Sequence, residues 1–303
     1  MPPAWTESYE AERPHLFAVA YRMLGSAAEA EDVLQEAWLR GRTIEEAPKS
    51  PRAMWTTIVV RLSIDAATSA RARRESYVGP WLPEPLAIDA ASRSDAAEDR
   101  IDMLESASMA LLVVLETLSP LERAVFLLRE VFDYELFEIA ECLGRSEAAC
   151  RQLLHRARGH VSEKRKRFEP DSEETRRVVA AFMTSLVSGD TEGVAALLRE
   201  DAVSMSDGGG KAKAARNIVT GRDRVAALSL GLAKRAGWDV ETFITSVNGQ
   251  PALVAHANGR LVTVVVFAVE EGLIASMYSL LNPDKLERLA RELLPNEDLR
   301  SRP

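Results

Sequence analysis

The chain has little of what marks a secreted, metal-binding or membrane protein. Its 303 residues contain two cysteines, Cys142 and Cys150, and four scattered histidines. Two cysteines cannot build a disulfide framework, and the cysteines and histidines lack the spacing of a metal site. The longest apolar run, Leu261 to Val269, is too short to cross a bilayer. We therefore expect no structural metal, no cofactor and no membrane contact.

The first residues, MPPAWTESYE, also lack the basic segment and apolar core of a secretory signal peptide. This predicts a cytoplasmic protein. Apolar residues make up 47% of the chain and charged residues 28%, which is typical of folded globular proteins and excludes a collagenous or disordered chain. The length favours two or three domains, each with its own core.

The net charge of −8 is unfavourable for binding nucleic acid, because contacts with phosphates usually require a basic surface. The cations are nevertheless concentrated in one stretch. Between Leu143 and Arg167, two glutamates stand against eight basic residues: Arg145, Arg151, Arg156, Arg158, Lys164, Arg165, Lys166 and Arg167. The local charge of +6 predicts an anion-binding surface in an otherwise acidic protein.

The first part of the chain is predicted to be helical. From about Tyr9 to Ser76 apolar residues recur at helical spacing, which predicts one all-α domain. The next segment, YVGPWLPEPL, has three prolines and a glycine, which exclude a helix and predict an extended linker. Helices resume near Asp95 and continue to Thr117. A further helix is predicted to begin at a capping signal made of Ser119, Pro120 and Glu122.

After Pro170 the pattern changes to α+β. Helices are predicted at about Glu174 to Val187, Thr191 to Leu198 and Arg222 to Lys234, followed by strands at Val240 to Val247, Ala252 to Ala257, Leu261 to Val269 and Ile274 to Leu280. Asn-Gly or Glu-Gly pairs separate these strands and are typical of hairpin turns. The pattern predicts helices packed on an antiparallel meander.

The segment FEIAECLGRSEAACRQLLHRARGHV carries the clearest chemical signal. It predicts a helix, a turn at Gly144, an N-cap at Ser146 and a second helix, which is the pattern of a helix-turn-helix. In the second helix one face is apolar, with Cys150, Leu154, Ala157 and Val161. The other face presents Arg151, Gln152, His155 and Arg158.

These polar side chains suit a reader of the DNA major groove. Arginine can donate two hydrogen bonds to guanine, glutamine can bond adenine, and Glu147 can accept from cytosine. Two alternatives stay open from spacing alone. A basic helix face can be a solvated surface without a ligand. Cys142 and Cys150, on facing helices, either fill space or form a redox switch.

Two segments, in order, resemble the sigma-70 family of transcription initiation factors. AYRMLGSAAEAEDVLQEAWLR resembles region 2, and LSPLERAVFLLREVFDYELFEIAECLGRSEAACRQLLHRAR resembles region 4. Having only these two regions is typical of the extracytoplasmic-function group. Three further strings, WLPEPL (81–86), DGGGK (207–211) and NPDKL (282–286), resemble the subgroup that has a C-terminal SnoaL-like domain.

The resemblance implies a multidomain fold: two all-α sigma domains, a region 2 helical bundle and a region 4 helix-turn-helix, plus an α+β SnoaL-like cone domain. The implied boundaries are region 2 over 1–76, a proline-rich linker over 77–100, region 4 over 101–168, the SnoaL-like regulatory domain over 172–289 and a tail over 290–303. The implied function is promoter-specific initiation without enzyme activity. Its partners would be bacterial core RNA polymerase and promoter DNA.

The resemblance also assigns site residues. Binding of core polymerase is assigned to Asp32, Gln35, Glu36 and Arg40. Binding of the minus-ten element is assigned to Trp55, Arg61, Arg71, Arg73 and Arg74, since stacking and cationic groups hold single strands; Trp55 is equally well interpreted as helix core. Binding of the minus-thirty-five element is assigned to Arg145, Ser146, Glu147, Arg151, Gln152, His155, Arg156 and Arg158. Regulatory contacts are assigned to Trp81, Leu82, Pro83, Asp207, Gly208, Gly209, Gly210, Lys211, Asn282, Pro283, Asp284, Lys285 and Leu286.

Three functions are compared for the C-terminal domain. In the first, it tunes sigma activity within the same chain, NPDKL packs near Trp81 to Leu86, and an unknown small ligand or protein is a further partner. The NPDKL segment is equally well interpreted as an ordinary helix start. DGGGK could be a glycine-rich anion cradle, but it lacks both a predicted strand before it and the GK[ST] ending of a phosphate-binding loop, which favours a contact loop over a nucleotide site.

In the second, the chain is a ligand-sensing helix-turn-helix regulator that binds operator DNA as a dimer, without polymerase. In the third, the cone is an enzyme whose general base is His256, Asp201 or Asp207. No partner for such a base can be placed from spacing, so the first hypothesis is favoured.

Overall fold

The computed structural model describes residues 8–44, 46, 48–87, 108–162, 172–236 and 240–293. These residues form two compact units. The helical unit contains 8–76 and 112–162, and the C-terminal unit contains 77–87, 108–111, 172–236 and 240–293. The predicted regions 2 and 4 therefore share one unit, whereas the described part of the predicted linker packs with the predicted regulatory domain. Lys164 to Arg167 of the basic stretch lie outside the described residues. So do residues 88–100 of the predicted linker and 294–303 of the predicted tail.

The described residues up to Ser162 form seven helices. They are α1 (Ser8–Leu24), α2 (Ala27–Gly41), α3 (Pro51–Arg74), α4 (Met109–Leu115), α5 (Pro120–Glu130), α6 (Leu136–Leu143) and α7 (Glu147–Ser162). Helix α4 passes from the C-terminal unit into the helical unit at Leu112. At the start of α5, Ser119 and Glu122 form a capping box with Pro120 in the first turn, as the sequence predicted.

Helix α3 lies at the centre of the helical unit. It packs against α1 and α2 on one side and against α5 and α6 on the other. The buried core of this unit includes the apolar side chains of Leu16, Met23, Leu34, Val59, Leu112, Leu127 and Ile139. Each such leucine stabilises the unit by about 1.5–3 kcal/mol relative to an exposed one. Predicted region 2 and predicted region 4 therefore pack directly against each other.

The C-terminal unit combines four further helices with a mixed sheet. The helices are α8 (Ser172–Ser188), α9 (Thr191–Ala196), α10 (Arg222–Ala236) and α11 (Pro283–Leu293). The strands are β1 (Leu198–Asp207), β2 (Val219–Thr220), β3 (Glu241–Val247), β4 (Gln250–Ala257), β5 (Arg260–Glu270) and β6 (Leu273–Leu280). They lie in the order β2-β1-β6-β5-β4-β3.

The predicted meander is confirmed in β3 to β6, whose neighbours all pair antiparallel. Strands β1 and β2 were not predicted, because the sequence indicated a helix end followed by a glycine-rich loop there. Strand β1 pairs parallel with β6, so the sheet is mixed and the purely antiparallel expectation was wrong. The segment LREDAVSMSD has low strand propensity. It is extended because its backbone pairs with β6 on one side and with β2 on the other.

The helices of the C-terminal unit pack on the sheet through an apolar core. Helix α8 contacts β4 and β5, and α10 contacts β1. Phe182 and Phe267 meet edge-to-face with ring centres 6.0 Å apart, and both are 1% exposed. Val179, Val225 and Ile274 are fully buried around them. Large side chains therefore occupy the space between the helices and the sheet.

Candidate functional site

The predicted helix-turn-helix is formed by α6 and α7. Helix α6 ends at Gly144, whose φ of 62° lies in the left-handed region that glycine adopts without strain. The Ser146 hydroxyl accepts the backbone N–H of Ala149 at 3.2 Å and caps α7. The predicted apolar face is buried, with Cys150, Leu154, Ala157 and Val161. The local structure predicted for this motif is confirmed.

Two exposed arginines of α7 reach back to α5. Arg156 Nε donates to Glu122 Oε1 at 2.8 Å, and Arg158 Nη2 donates to Glu130 Oε1 at 2.6 Å. Burial alone raises the pKa of Glu122, but hydrogen bonds from Arg156 and Ser119 outweigh it and lower the pKa to about 2. These two cations brace α7 against α5 in addition to any contact with phosphates.

The remaining polar side chains of the motif stay in solvent. They are Arg145, Glu147, Arg151, Gln152 and His155. Arg151 Nη2 lies 3.7 Å from Glu147 Oε2 one helical turn away, an exposed pair that contributes about 0.3–0.5 kcal/mol. Because that pair opens at low cost, both side chains can turn to a ligand. The face offers the donors and acceptors that distinguish base pairs in the major groove.

The two cysteines of the motif are buried and unoxidised. Burial raises the pKa of both thiols, Cys142 and Cys150. A thiol with a raised pKa stays protonated and reacts slowly. The structure therefore favours the space-filling interpretation over a redox switch.

Three of the four residues assigned to polymerase binding, Asp32, Glu36 and Arg40, line a groove between α2 and α3, and Gln35 lies on α2 outside it. Asp32, Gln35 and Arg40 are exposed and Glu36 is half-buried. Arg40 Nε donates to Glu36 Oε1 at 2.7 Å. The groove encloses about 430 Å³ and is lined by Glu29, Asp32, Val33, Glu36, Arg40, Leu62, Asp65, Ala66 and Ser69. Four acids, one arginine and three apolar side chains are among these residues.

Trp55 lies in the core of the helical unit. Its side chain is 0% exposed, and its ring centre lies 4.8 Å from that of Tyr9 and 6.2 Å from that of Trp38. A ring enclosed in this way cannot stack on an unpaired base. Of the two interpretations of Trp55, the structure supports helix core rather than a minus-ten contact.

The other residues assigned to the minus-ten element are arginines of α3 in different environments. Arg71 is exposed, whereas the side chain of Arg73 lies outside the described part of the structure. Arg61 Nε donates to the backbone carbonyl of Cys142 at 2.8 Å, at the end of α6. Arg61 is therefore engaged with predicted region 4 in this conformation.

Arg74 is also held within the helical unit. It donates to the backbone carbonyl of Leu24 at 2.7 Å and pairs with Glu116, which also pairs with Arg123. Burial lowers the pKa of Arg74, and the Glu116 carboxylate opposes this shift. One acid thus joins a cation of predicted region 2 to a cation of predicted region 4.

Asp207 is the centre of the predicted regulatory contacts in the C-terminal unit. It ends β1 and is 0% exposed. Its Oδ1 accepts the Tyr77 hydroxyl at 2.6 Å, while Oδ2 accepts the Leu82 N–H at 2.9 Å and Lys285 Nζ at 2.7 Å. One carboxylate therefore joins the DGGGK, WLPEPL and NPDKL segments.

Lys285 adds further contacts with the linker. Its ammonium also donates to the backbone carbonyl of Leu82 and lies 4.0 Å from the ring centre of Trp81. The side chain is 13% exposed. The cation is therefore enclosed by a carboxylate, a carbonyl and an aromatic face, all of which attract it. The structure places NPDKL against Trp81 and Leu82, as the sequence hypothesis required.

Asn282 completes this contact. Its Nδ2 donates to the Tyr77 hydroxyl at 2.9 Å, and its Oδ1 accepts the N–H of Asp284 at 3.1 Å as α11 begins at Pro283. The segment is therefore both a helix start and a linker contact. Gly209 has a φ of 57°, and a Cβ there would collide with the Asn282 side chain, so glycine is required on both grounds.

The rest of the assigned regulatory residues lie around this hub. Leu82, Pro83 and Leu286 are buried, and Gly208 and Gly210 form the turn that follows Asp207. Lys211 Nζ pairs with Asp284 Oδ2 at 2.5 Å, with both side chains more than half exposed. Burial, followed by the hydrogen bond to Asp207, raises the pKa of Tyr77 above its ordinary value of 10.

The sequence analysis missed a second contact at the β3–β4 turn. Asn248 and Gln250 are each 1% exposed. Asn248 exchanges two hydrogen bonds with the Leu86 backbone, at 3.1 and 2.8 Å, and Gln250 Oε1 accepts the N–H of Met109 at 2.8 Å. The sequence indicated only a hairpin turn at Asn248-Gly249. No feature of the neighbouring sequence indicated that the side chains of Asn248 and Gln250 bind the backbone of distant residues.

The three candidate general bases lie in separate environments. Asp207 uses both oxygens in the linker contact. Asp201 is exposed and pairs with Arg199 at 2.9 Å. His256 Nε2 lies 3.6 Å from Glu241 and packs edge-on against Phe243. No two of these three residues form a base and its polarising partner.

Among the described residues, no group of three or more His, Cys, Asp or Glu side chains could hold a metal ion. None of the described helices is long and apolar enough to span a membrane.

Comparison with known proteins assigns both sigma-like segments. A family model described as Sigma-70 region 2 matches residues 8–73, and one described as Sigma-70, region 4 matches residues 108–161. The chain is 38% identical over 294 residues to "ECF RNA polymerase sigma factor SigJ" of Mycobacterium tuberculosis, covering 91% of each chain. This chain belongs to the ECF RNA polymerase sigma factors.

The sigma factor resembles these relatives along most of its length. It is 32% identical to "Probable ECF RNA polymerase sigma factor SigI" of Mycobacterium tuberculosis, over 94% of this chain and 96% of that one. The crystal structure of the SigJ factor matches with a TM-score of 0.74 and 35% identity, covering 93% of this chain and 98% of that chain. The expected fold of two helical sigma regions and an α+β SnoaL-like domain is confirmed. So is the function of transcription initiation with RNA polymerase on promoter DNA, and the helix-turn-helix repressor is not favoured.

Proposed function

We propose that the C-terminal domain regulates this sigma factor in cis by holding the linker between its two sigma regions. The observation that carries the proposal is the buried Asp207 carboxylate, which binds Tyr77, Leu82 and Lys285 together. A buried carboxylate needs these partners, because removing one leaves a charge that cannot be solvated. The linker is therefore either fully seated on the domain or released from it.

The linker controls how far the two sigma regions can separate. The minus-ten and minus-thirty-five elements lie about 25 base pairs apart, or about 85 Å along DNA at ~3.4 Å per base pair. A compact unit of about 120 residues has a radius of gyration of only about 14 Å. Region 2 and region 4 must therefore part before both elements are bound, and a seated linker limits that movement.

Within this function, we assign the groove between α2 and α3 to core polymerase, with Asp32, Glu36 and Arg40 in its lining, together with the exposed Gln35 of the same helix. For the minus-thirty-five element we assign Arg151, Gln152 and His155 to base contacts. The bracing cations Arg156 and Arg158, together with Arg145, Ser146 and Glu147, position the helix and hold phosphates.

For the minus-ten element we assign Arg71 and the neighbouring Arg73. Arg61 and Arg74 become available only when region 4 leaves α3, because both are engaged within the helical unit. Separation of region 2 from region 4 would therefore expose Arg61 and Arg74. Release of the linker would in this way be coupled to binding of the DNA single strand.

We infer that the C-terminal domain is not an enzyme. Asp207 is committed to the linker and Asp201 to Arg199. His256 lies on the sheet with Glu241, an exposed acid, 3.6 Å from its Nε2. Phe182 and Phe267 fill the space between the helices and the sheet, where a substrate pocket would otherwise lie. Because its partners are promoter DNA and RNA polymerase, we place the protein in the cytoplasm.

Run-off transcription with purified core polymerase tests the proposal. The full chain is compared with K285M, which removes the cation that joins Asp207 to the linker, and with R291M on the same helix. Within the described residues Arg291 pairs with Glu287, 3.1 Å away, and both are about 70% exposed. We expect K285M to change promoter output at least about threefold and R291M to leave it unchanged. Equal output from all three proteins would refute regulation through the linker contact.

A further inference from the structure

A hollow beside the Asp207 contact is lined by three cations, and none of the described residues that line it is an acid. It encloses about 310 Å³ between Val78–Gly79 of the linker and residues 206–216, which follow the sheet edge. Lys211, Lys213 and Arg216 line it, together with glycine, alanine and serine. Cavities of this size hold small molecules.

The charge pattern here is unusual for this chain. The protein carries a net charge of −8, yet residues 208–222 contain Lys211, Lys213, Arg216 and Arg222 and no aspartate or glutamate. By contrast, the open cavity at Arg199 is also lined by Glu200, Asp201, Glu270 and Glu271. The hollow is therefore a local positive potential, which attracts anions.

The cations of the hollow are available to a ligand. Lys213 and Arg216 are exposed, and neither forms an ion pair within the described residues. Lys211 pairs with Asp284, but both are about 60% exposed, so water screens the pair and it opens at low cost. The small residues Ala212, Ala214 and Ala215 leave the interior open to a ligand.

We propose that this hollow binds a phosphate-bearing small molecule, whose phosphate groups are held by Lys211, Lys213 and Arg216. Guanidinium and ammonium groups are the usual protein partners of phosphate. A concave site fits a small molecule better than the convex backbone of duplex DNA. This deepens the proposed regulation and rests on it, since one wall of the hollow is the linker.

The linker wall gives the ligand a means of acting on the sigma regions. A Cβ on Gly79 would lie 3.7 Å from the Cα of Arg216, so linker and loop are in close contact beside the hollow. A phosphate bound here contacts both segments and stabilises the seated linker. The ligand would therefore favour the same state as the Asp207–Lys285 pair.

Isothermal titration calorimetry of the full chain with inorganic pyrophosphate and with ATP tests the site. We expect K213A/R216A to bind each probe at least about tenfold more weakly, since two charged contacts are lost. The matched control is K234A/R235A, which removes the same charge from exposed positions at the end of α10. It should bind within about twofold of the unmodified chain.

A second measurement needs no variant. Hydrogen exchange of the unmodified chain should slow at residues 78–79 and 208–216 when pyrophosphate is added, and remain unchanged at the Asn248 turn. Equal affinity of K213A/R216A and its control, no binding of either probe at about 10 mM, or slowed exchange only with duplex DNA would each overturn the proposal. Run-off transcription itself contains nucleoside triphosphates and releases pyrophosphate, so the K285M comparison is made at one fixed nucleotide concentration that is common to all three proteins. Calorimetry and hydrogen exchange contain no polymerase or promoter, so failure of ligand binding there is distinguishable from failure of the K285M transcription result.

Discussion

Replacing Lys285 by methionine tests the energetic basis of the linker contact. The substitution keeps the length of the side chain and its packing on Trp81 but removes the charge that faces Asp207 at 2.7 Å. Asp207 is 0% exposed and would keep only the Tyr77 hydroxyl and the Leu82 N–H as donors. Removing one partner of such a buried pair costs about 3–5 kcal/mol.

Asp207→Asn provides the second arm of a double-mutant cycle. The amide oxygen can still accept from the Leu82 N–H, and no uncompensated charge remains when Lys285 is absent. We therefore expect K285M to cost at least about 1.5 kcal/mol less in the D207N background than in the original chain. Urea denaturation measures the free energy of unfolding of each full-length variant.

Hydrogen exchange of residues 77–87 shows where the energy is lost. Exchange there should accelerate in K285M more than exchange in β5, because the linker opens before the sheet. A cost below about 1 kcal/mol, or the same cost in both backgrounds, would refute the view that this pair holds the linker.

Three further predictions concern the helical unit. Burial, with Arg52 and Arg22 nearby, lowers the pKa of His15 from 6.5 to about 4. Between these two pH values the unfolded chain binds more protons than the folded protein. The free energy of unfolding should therefore fall by about 2 kcal/mol from pH 7 to pH 5, as measured by urea denaturation. E116Q leaves the buried Arg123 and the partly buried Arg74 without their shared acid and should lower the free energy of unfolding by about 3 kcal/mol in the same assay. R151A should weaken binding of promoter DNA by the polymerase complex by about 1–3 kcal/mol at one base pair of the minus-thirty-five element, as measured by competition with single-base variants.

A matched control variant tests each of these three predictions. H15Q should remove the drop between pH 7 and pH 5, and an unchanged pH profile would contradict the assignment to His15. E36Q, at an exposed pair with Arg40, controls for loss of an acid, and an equal effect would show that Glu116 has no special role. R158A should weaken binding of all sequences alike, so a base-specific loss in R158A but not in R151A would reverse the assignments within α7.

The elements that the sequence predicted well depend on neighbours in the chain. The capping box at Ser119 and Glu122 and the helix-turn-helix around Gly144 follow from groups three to four residues apart. The hairpin at Asn248-Gly249 is local as well, and its positive φ angles of 52° and 70° match the expected turn. Such short-range signals specify caps and turns without any contribution from distant segments.

Long-range contacts explain what the sequence left open. Strand β1 is a strand only because β6 pairs with it from some seventy residues away. The position of Trp55 in the sequence is compatible with a buried or an exposed aromatic side chain. Only the packing of Tyr9 and Trp38 around its ring shows that it belongs to the core. The roles of Asn248 and Gln250 could not be predicted, because their partners Leu86 and Met109 lie 162 and 141 residues away.

By itself the sequence determined the family, the order of the domains, the helix-turn-helix and the three motifs of the C-terminal contact, because each is encoded in short strings of residues. Only the tertiary structure decided how these parts are used. It placed Asp207, Tyr77, Leu82 and Lys285 around one buried charge, and it occupied Arg61 and Arg74 with region 4. Burial and pairing depend on which distant segments meet, and no local pattern contains that information.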